Sequence, residues 1–174
     1  MLKKKKKLIV GFSATDSRHV GKEAILFSQM QVTEYNSGLV PSEQMDAGLI
    51  DQQKKMQLLI ERINPTIIYT TPAEAKRILD MQLENTYMNI TDHNILRHLE
   101  QKNGSDKYIL LVITTNDLLR GIDYRGSVGI DLILDKQFAG VREAQQALHR
   151  VGRNGDKCRR FKTNKNLVSA GMAV

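Results

Sequence analysis

Thr66-Ile67-Ile68-Tyr69-Thr70-Thr71-Pro72-Ala73-Glu74 runs from one kind of secondary structure straight into another. β-Branched and aromatic side chains fill its first half, which predicts a strand over Thr66 to Thr70. Thr71 then offers an N-cap hydroxyl, Pro72 takes the first helical position, where an N–H has no partner anyway, and Glu74 takes the third. The helix is predicted to run to about Leu83. Pro65 closes the element before the strand. That element reads as a helix over Ser42 to Ile63, with Ser42 as N-cap and Met45, Leu49, Met56, Leu59 and Ile63 near one face.

The same alternation continues in both directions. Downstream lie a weak strand at Tyr87 to Ile90, a helix from about His93 to Gln101 and a turn at Asn103-Gly104-Ser105. Tyr108 to Thr114 is a continuous apolar run, as strands buried on both faces of a parallel sheet require, and Ile130 to Leu134 repeats it. Val141 to Arg150 is again helical in pattern. Upstream, Leu8 to Phe12 reads as a short strand and residues 16–47 as a connector. Strand and helix alternating over residues 64–153 predict an α/β fold, an open parallel-sheet three-layer sandwich. Ser13-Ala14-Thr15, Thr70-Thr71, Thr91-Asp92 and Thr115-Asn116-Asp117 all follow strands, so they are expected on one rim, where ligand chemistry collects in such sheets.

A chain of 174 residues with 41% hydrophobic content can bury a core, built mainly of aliphatics because aromatics make up 5% and tryptophan is absent. The net charge of +7 favours a polyanionic partner, although a basic domain without one has the same composition. Cys158 is the only cysteine, which excludes an internal disulfide and a cysteine-pair zinc site and points to a reducing, intracellular compartment. Lys3 to Lys7 precede too short an apolar stretch for a signal sequence or a membrane span. A second basic stretch, Lys157 to Lys165, reads either as a phosphate-backbone contact or as a solvated terminal arm.

The segment Gln146 to Asp156, Q-A-L-H-R-V-G-R-N-G-D, carries the chemistry. Helical spacing would stack Gln146, Arg150 and Arg153 on one face, and guanidinium forks grip phosphate oxygens bidentately. The segment resembles motif VI of superfamily 2 helicases, Q-x-x-x-R-x-G-R, through Gln146, Arg150, Gly152 and Arg153. Thr115 to Asp123, T-N-D-L-L-R-G-I-D, resembles motif V, Gly11 to Thr15 resembles motif III, and Thr66 to Thr71 with its helix resembles motif IV. The likeness covers roughly residues 8–161 and implies the second, C-terminal RecA-like lobe of such a motor.

The resemblance implies a role for each matched residue. Arg150 and Arg153 would be arginine fingers on the γ-phosphate of ATP held by a partner lobe, with Gln146 holding them in place. Gly121 and Asp123 would lie at the nucleotide, Asp123 near its ribose. Thr71, Thr115 and Arg120 would serve the nucleic-acid track, and Ser13 and Thr15 would couple hydrolysis to strand movement. Neither a phosphate-binding loop G-x-x-x-x-G-K-[ST] nor an acidic D-E-x-[DH] box occurs in the chain, so Mg2+ would be held by the missing first lobe. The expected partners are a single strand of RNA or DNA and an N-terminal RecA-like lobe in the same or another chain.

Two further likenesses qualify this reading. In the H-R-x-G-R-x-G-R register of DEAD-box proteins, Asp156 would occupy the last arginine position, whereas the Q-x-x-x-R-x-G-R register keeps both fingers. The preferred register, Asn116 and the tail Gly155, Asp156, Arg160, Phe161 also resemble the motor of SecA-type protein translocases, so polypeptide is the alternative polymer. A degenerate lobe kept as a binding module is the non-enzymatic alternative. The expected organisation is a motif III strand and inter-lobe connector over residues 1–47, the RecA-like domain over 48–161 and a basic tail over 162–174.

Overall fold

The computed structural model describes residues 47–90, 93–115, 124, 128–152 and 156–164, all within one folding unit, residues 39–174. The strand expected at Leu8 to Phe12, the connector before residue 47 and the tail beyond residue 164 lie outside the described residues. The described chain runs β1 (Gly48–Leu49), α1 (Gln52–Glu61), β2 (Thr66–Thr70), α2 (Pro72–Asp80), β3 (Thr86–Met88), α3 (His93–Arg97), β4 (Leu110–Ile113), β5 (Ile130–Asp135), α4 (Val141–Leu148) and β6 (Cys158–Lys162). Its sheet has six strands in the order β1-β6-β5-β2-β4-β3, and every neighbouring pair is parallel. This is the open parallel α/β sandwich expected of a RecA-like lobe.

Alternation along the central strands builds the sandwich. Ile67 and Tyr69 of β2, Leu111 and Ile113 of β4, and Ile130, Leu132 and Leu134 of β5 share one core with Leu96 of α3 and Ala147 of α4. Ile68, Leu110, Val112 and Ile133 face the other way, onto Leu58 and Leu59 of α1 and Ala75 and Ile78 of α2. Buried apolar area on both faces drives the layers together, because each inward side chain leaves water.

The helix expected from Ser42 needs correction. Gly48–Leu49 form a short strand beside β6, and α1 begins only at Gln52, where the Asp51 carboxylate accepts from the Lys54 N–H at 2.8 Å. Of the face read from the sequence, Leu59 is buried and Met56 packs on the same core, whereas Leu49 and Ile63 lie outside the helix and are exposed. The buried stripe is Lys55, Leu58, Leu59 and Arg62, which has helical spacing but begins and ends on a cation. Arg62 takes the left-handed conformation (φ 40°) just past the helix, and its guanidinium donates to the Tyr108 carbonyl at 2.7 Å. Burial lowers the Arg62 pKa, opposed by the nearby Glu84 carboxylate.

The basic stretch from Lys157 is likewise not a solvated arm. Its Cys158–Lys162 portion is β6, paired with β5 from Ile130↔Cys158 to Leu134↔Lys162. Arg159 grips Asp131 with two donors, Nε at 2.8 Å and an Nη at 2.7 Å, and this fork raises the Arg159 pKa. β6 ends at Lys162, the first residue of the stretch expected as the tail.

Candidate functional site

Because the strands are parallel, their carboxyl ends form one rim. Thr70 ends β2 and Thr71 follows it, Asn89 follows β3, Thr114 and Thr115 follow β4, and Lys136 follows β5. Thr71 caps α2 as expected, its hydroxyl accepting from the Glu74 N–H at 3.3 Å. Beside it, Asn89 exchanges bonds with Thr114, its amide donating to the threonine hydroxyl at 2.8 Å and accepting the Thr114 N–H at 2.9 Å. The Lys136 ammonium reaches the Thr114 carbonyl at 3.4 Å and lies over the Phe138 ring, 5.4 Å from its centre. Burial lowers the Lys136 pKa, with Glu143 opposing. Thr115 is half-buried at this rim.

The segment that resembles motif VI departs from its expected geometry. Helix α4 stops at Leu148, and His149 and Arg150 form a turn, so Gln146 and Arg150 do not share a continuous helical face. Three features end the helix there. Val151 leaves it to form a parallel bridge with Tyr124, Gly152 adopts φ 69°, and the Arg160 guanidinium donates to the Leu148 carbonyl at 3.1 Å. Gln146 is exposed on the helix, whereas Arg150 is half-buried in the turn. The other expected site residues, Ser13, Thr15, Arg120, Gly121, Asp123 and Arg153, lie outside the described residues.

The Tyr124–Val151 bridge matters because Tyr124 directly follows Asp123, the last residue of the motif V likeness. The Tyr124 N–H donates to the Arg150 carbonyl at 2.8 Å, so the two motif-like segments are joined by backbone at the position that carries Arg150. Tyr124 is fully buried, with its hydroxyl beside that of Tyr69. Tyr69, buried nearby on β2, has its pKa pushed up to about 12 by burial, against the pull of the Arg150 charge and the Tyr124 hydroxyl. Tyr124 is raised too, first by burial and then by Tyr69, and Arg150 again opposes. Arg150 therefore projects its charge toward two buried phenols near the end of β2.

Tyr69 sets an alkaline limit. Its folded pKa, about 12, exceeds the ordinary value of 10.0, so its neutral form contributes stability that is complete below pH 10 and lost as pH rises through 12. About two units correspond to roughly 2–3 kcal/mol. Denaturant midpoints measured between those pH values are expected to fall, and Tyr69→Phe should flatten part of that slope.

Gly152 shows why the segment needs glycine. Its φ is 69°, and a Cβ there would meet the Cys158 sulfur at 2.6 Å and an Arg160 guanidinium nitrogen at 3.0 Å. Gly152→Ala is expected to cost about 1–3 kcal/mol, measured by urea unfolding, from overpacking added to backbone strain.

A second constellation on this rim escaped the sequence reading. The Lys55 ammonium, fully buried, lies 2.9 Å from Glu74 and 3.2 Å from Asp135. Asp135 also accepts from the Thr70 and Thr163 hydroxyls, both at 2.8 Å, and Arg77 reaches Glu74 from outside at 3.2 Å. The network ties α1, α2, β2, β5 and the residue after β6 together at the carboxyl rim. The one available signal was Lys55 itself, three and four residues before Leu58 and Leu59.

Among the described residues, no group of His, Cys, Asp or Glu is arranged to hold a metal ion, and no helix is long and apolar enough to cross a membrane. Comparison with family models, with curated proteins and with solved structures returned no match to this chain.

Proposed function

We propose that this chain is the second RecA-like lobe of an ATP-dependent superfamily 2 helicase or translocase acting on a single strand of RNA or DNA inside the cell. One observation carries the reading: the Tyr124–Val151 bridge joins the end of the motif V likeness to the Arg150 turn. In this reading Arg150 and Arg153 are fingers that neutralise charge developing on the γ-phosphate of ATP. A half-buried guanidinium beside a strand-end rim suits that task, because low local dielectric strengthens its pull on phosphate. Asp123 and Gly121 lie at the nucleotide, and Gln146 supports the fingers from α4. Thr71, Thr115 and Arg120 meet the sugar-phosphate backbone, and Ser13 and Thr15 couple the two events. Mg2+ travels with the ATP phosphates and is assigned to the first lobe.

The pure chain is expected to bind single-stranded RNA or DNA with an affinity that falls steeply with salt, because each phosphate contact releases counterions. It is also expected to leave ATP unhydrolysed until a first lobe is supplied. Fluorescence anisotropy at a series of salt concentrations, with malachite-green phosphate release alongside, tests both. Tight binding to an unfolded polypeptide without strand binding would move the assignment to the SecA-type alternative. ATP turnover by the chain alone would sink the second-lobe reading.

A further inference from the structure

Arg160 sits on β6, paired in register with Leu132, and is only 6% exposed. A guanidinium is seldom buried unless acceptors surround it, since desolvating the cation is costly. Here the acceptors are backbone carbonyls on the motif VI turn. Arg160 Nε donates to the Leu148 carbonyl at 3.1 Å, and one Nη donates to the Val151 carbonyl at 2.7 Å. Leu148 is the last residue of α4, where carbonyls lack helical partners and the helix dipole is negative. Between these two carbonyls lies that of Arg150, held from the other side by the Tyr124 N–H at 2.8 Å. Gly152 completes the arrangement, because a Cβ there would fall 3.0 Å from the Arg160 Nη2.

We infer that Arg160 is a positioning residue for Arg150: its fork stops α4 at Leu148 and fixes the turn from which Arg150 addresses phosphate. The inference rests on the functional reading above for its last step only. A planar fork is needed because two carbonyls three residues apart must be held in one geometry. Lysine, a point donor on a flexible stem, can hold one of them.

Amide hydrogen exchange on the full chain, read residue by residue by NMR, tests the positioning. In Arg160→Met the Tyr124 amide is expected to exchange at least about tenfold faster, while Leu111 and Ile133 in the sheet keep their protection. The Arg150 Nε–H resonance should shift in the same variant. Arg160→Lys should give a smaller change at both probes, and it carries the test if Arg160→Met does not fold. Equal acceleration at Tyr124, Leu111 and Ile133 would reduce Arg160 to a general stabiliser and overturn the inference. Unchanged exchange at Tyr124 would overturn it as well. Titrating Mg-ATP against wild type with a first lobe supplied separates the functional reading: if the Arg150 resonance never responds there while the exchange pattern holds, the phosphate role fails and the positioning stands.

Discussion

Lys55→Met is expected to lower unfolding free energy by about 3–5 kcal/mol, the usual cost of removing one partner from a buried ion network. Lys55 is fully buried, and its ammonium is shared by Glu74 at 2.9 Å and Asp135 at 3.2 Å. Methionine fills similar volume and gains a little from apolar burial. It cannot offset two carboxylates left in a low-dielectric site without their shared cation. The Thr70 and Thr163 hydroxyls still donate to Asp135, but neutral donors compensate an anion only partly. Urea unfolding at neutral pH measures the loss. Adding Glu74→Gln and Asp135→Asn to Lys55→Met should recover most of it, because removing all three charges also removes the desolvation cost. A single-variant loss below about 1 kcal/mol would mean that water or neighbouring charge screens the network as at a surface.

That network also marks the limit of what the sequence discloses. The strand–helix handover at Thr71 was legible because cap chemistry is local: a hydroxyl, a proline and a glutamate at fixed offsets. The apolar runs of β4 and β5 were legible because a strand buried on both faces cannot carry much else. Lys55 was not. A lysine within a helix is ordinarily solvated, and only the carboxylates of two elements far along the chain make its burial tolerable. Phasing α1 on Met56, Leu59 and Ile63 therefore caught Leu59 and the core-packed Met56 but not the buried Lys55. β6 was missed for a similar reason: Arg159 and Arg160 read as a basic arm until Asp131 and the Leu148 and Val151 carbonyls supply their partners. Helical spacing put Arg150 on α4, whereas it lies in the turn that follows. α4 ends among tertiary contacts from Tyr124 and Arg160, and Gly152 reports them only once the neighbouring Cys158 and Arg160 are in place.

Replacing Arg150 and Arg153 together by alanine is expected to reduce ATP turnover by about 10³- to 10⁵-fold in the assembly that joins this lobe to its partner lobe. The loss should fall on kcat, with KM for ATP little changed, because a finger acts on charge that develops during transfer. Arg150→Lys should recover little, since a point charge does not reproduce a bidentate grip on two phosphate oxygens. Arg150 has a competing structural use that the same experiment exposes. Its charge opposes the rise of the Tyr69 and Tyr124 pKa values, so its removal should let both phenols titrate still higher. If that is its whole task, Arg150→Ala will move tyrosine ionisation and stability and leave turnover alone. If it is a finger, turnover collapses at a pH where both phenols are neutral in wild type and variant alike. Measuring kcat near neutrality keeps the two apart, because at that pH no change in phenol ionisation can account for a lost rate.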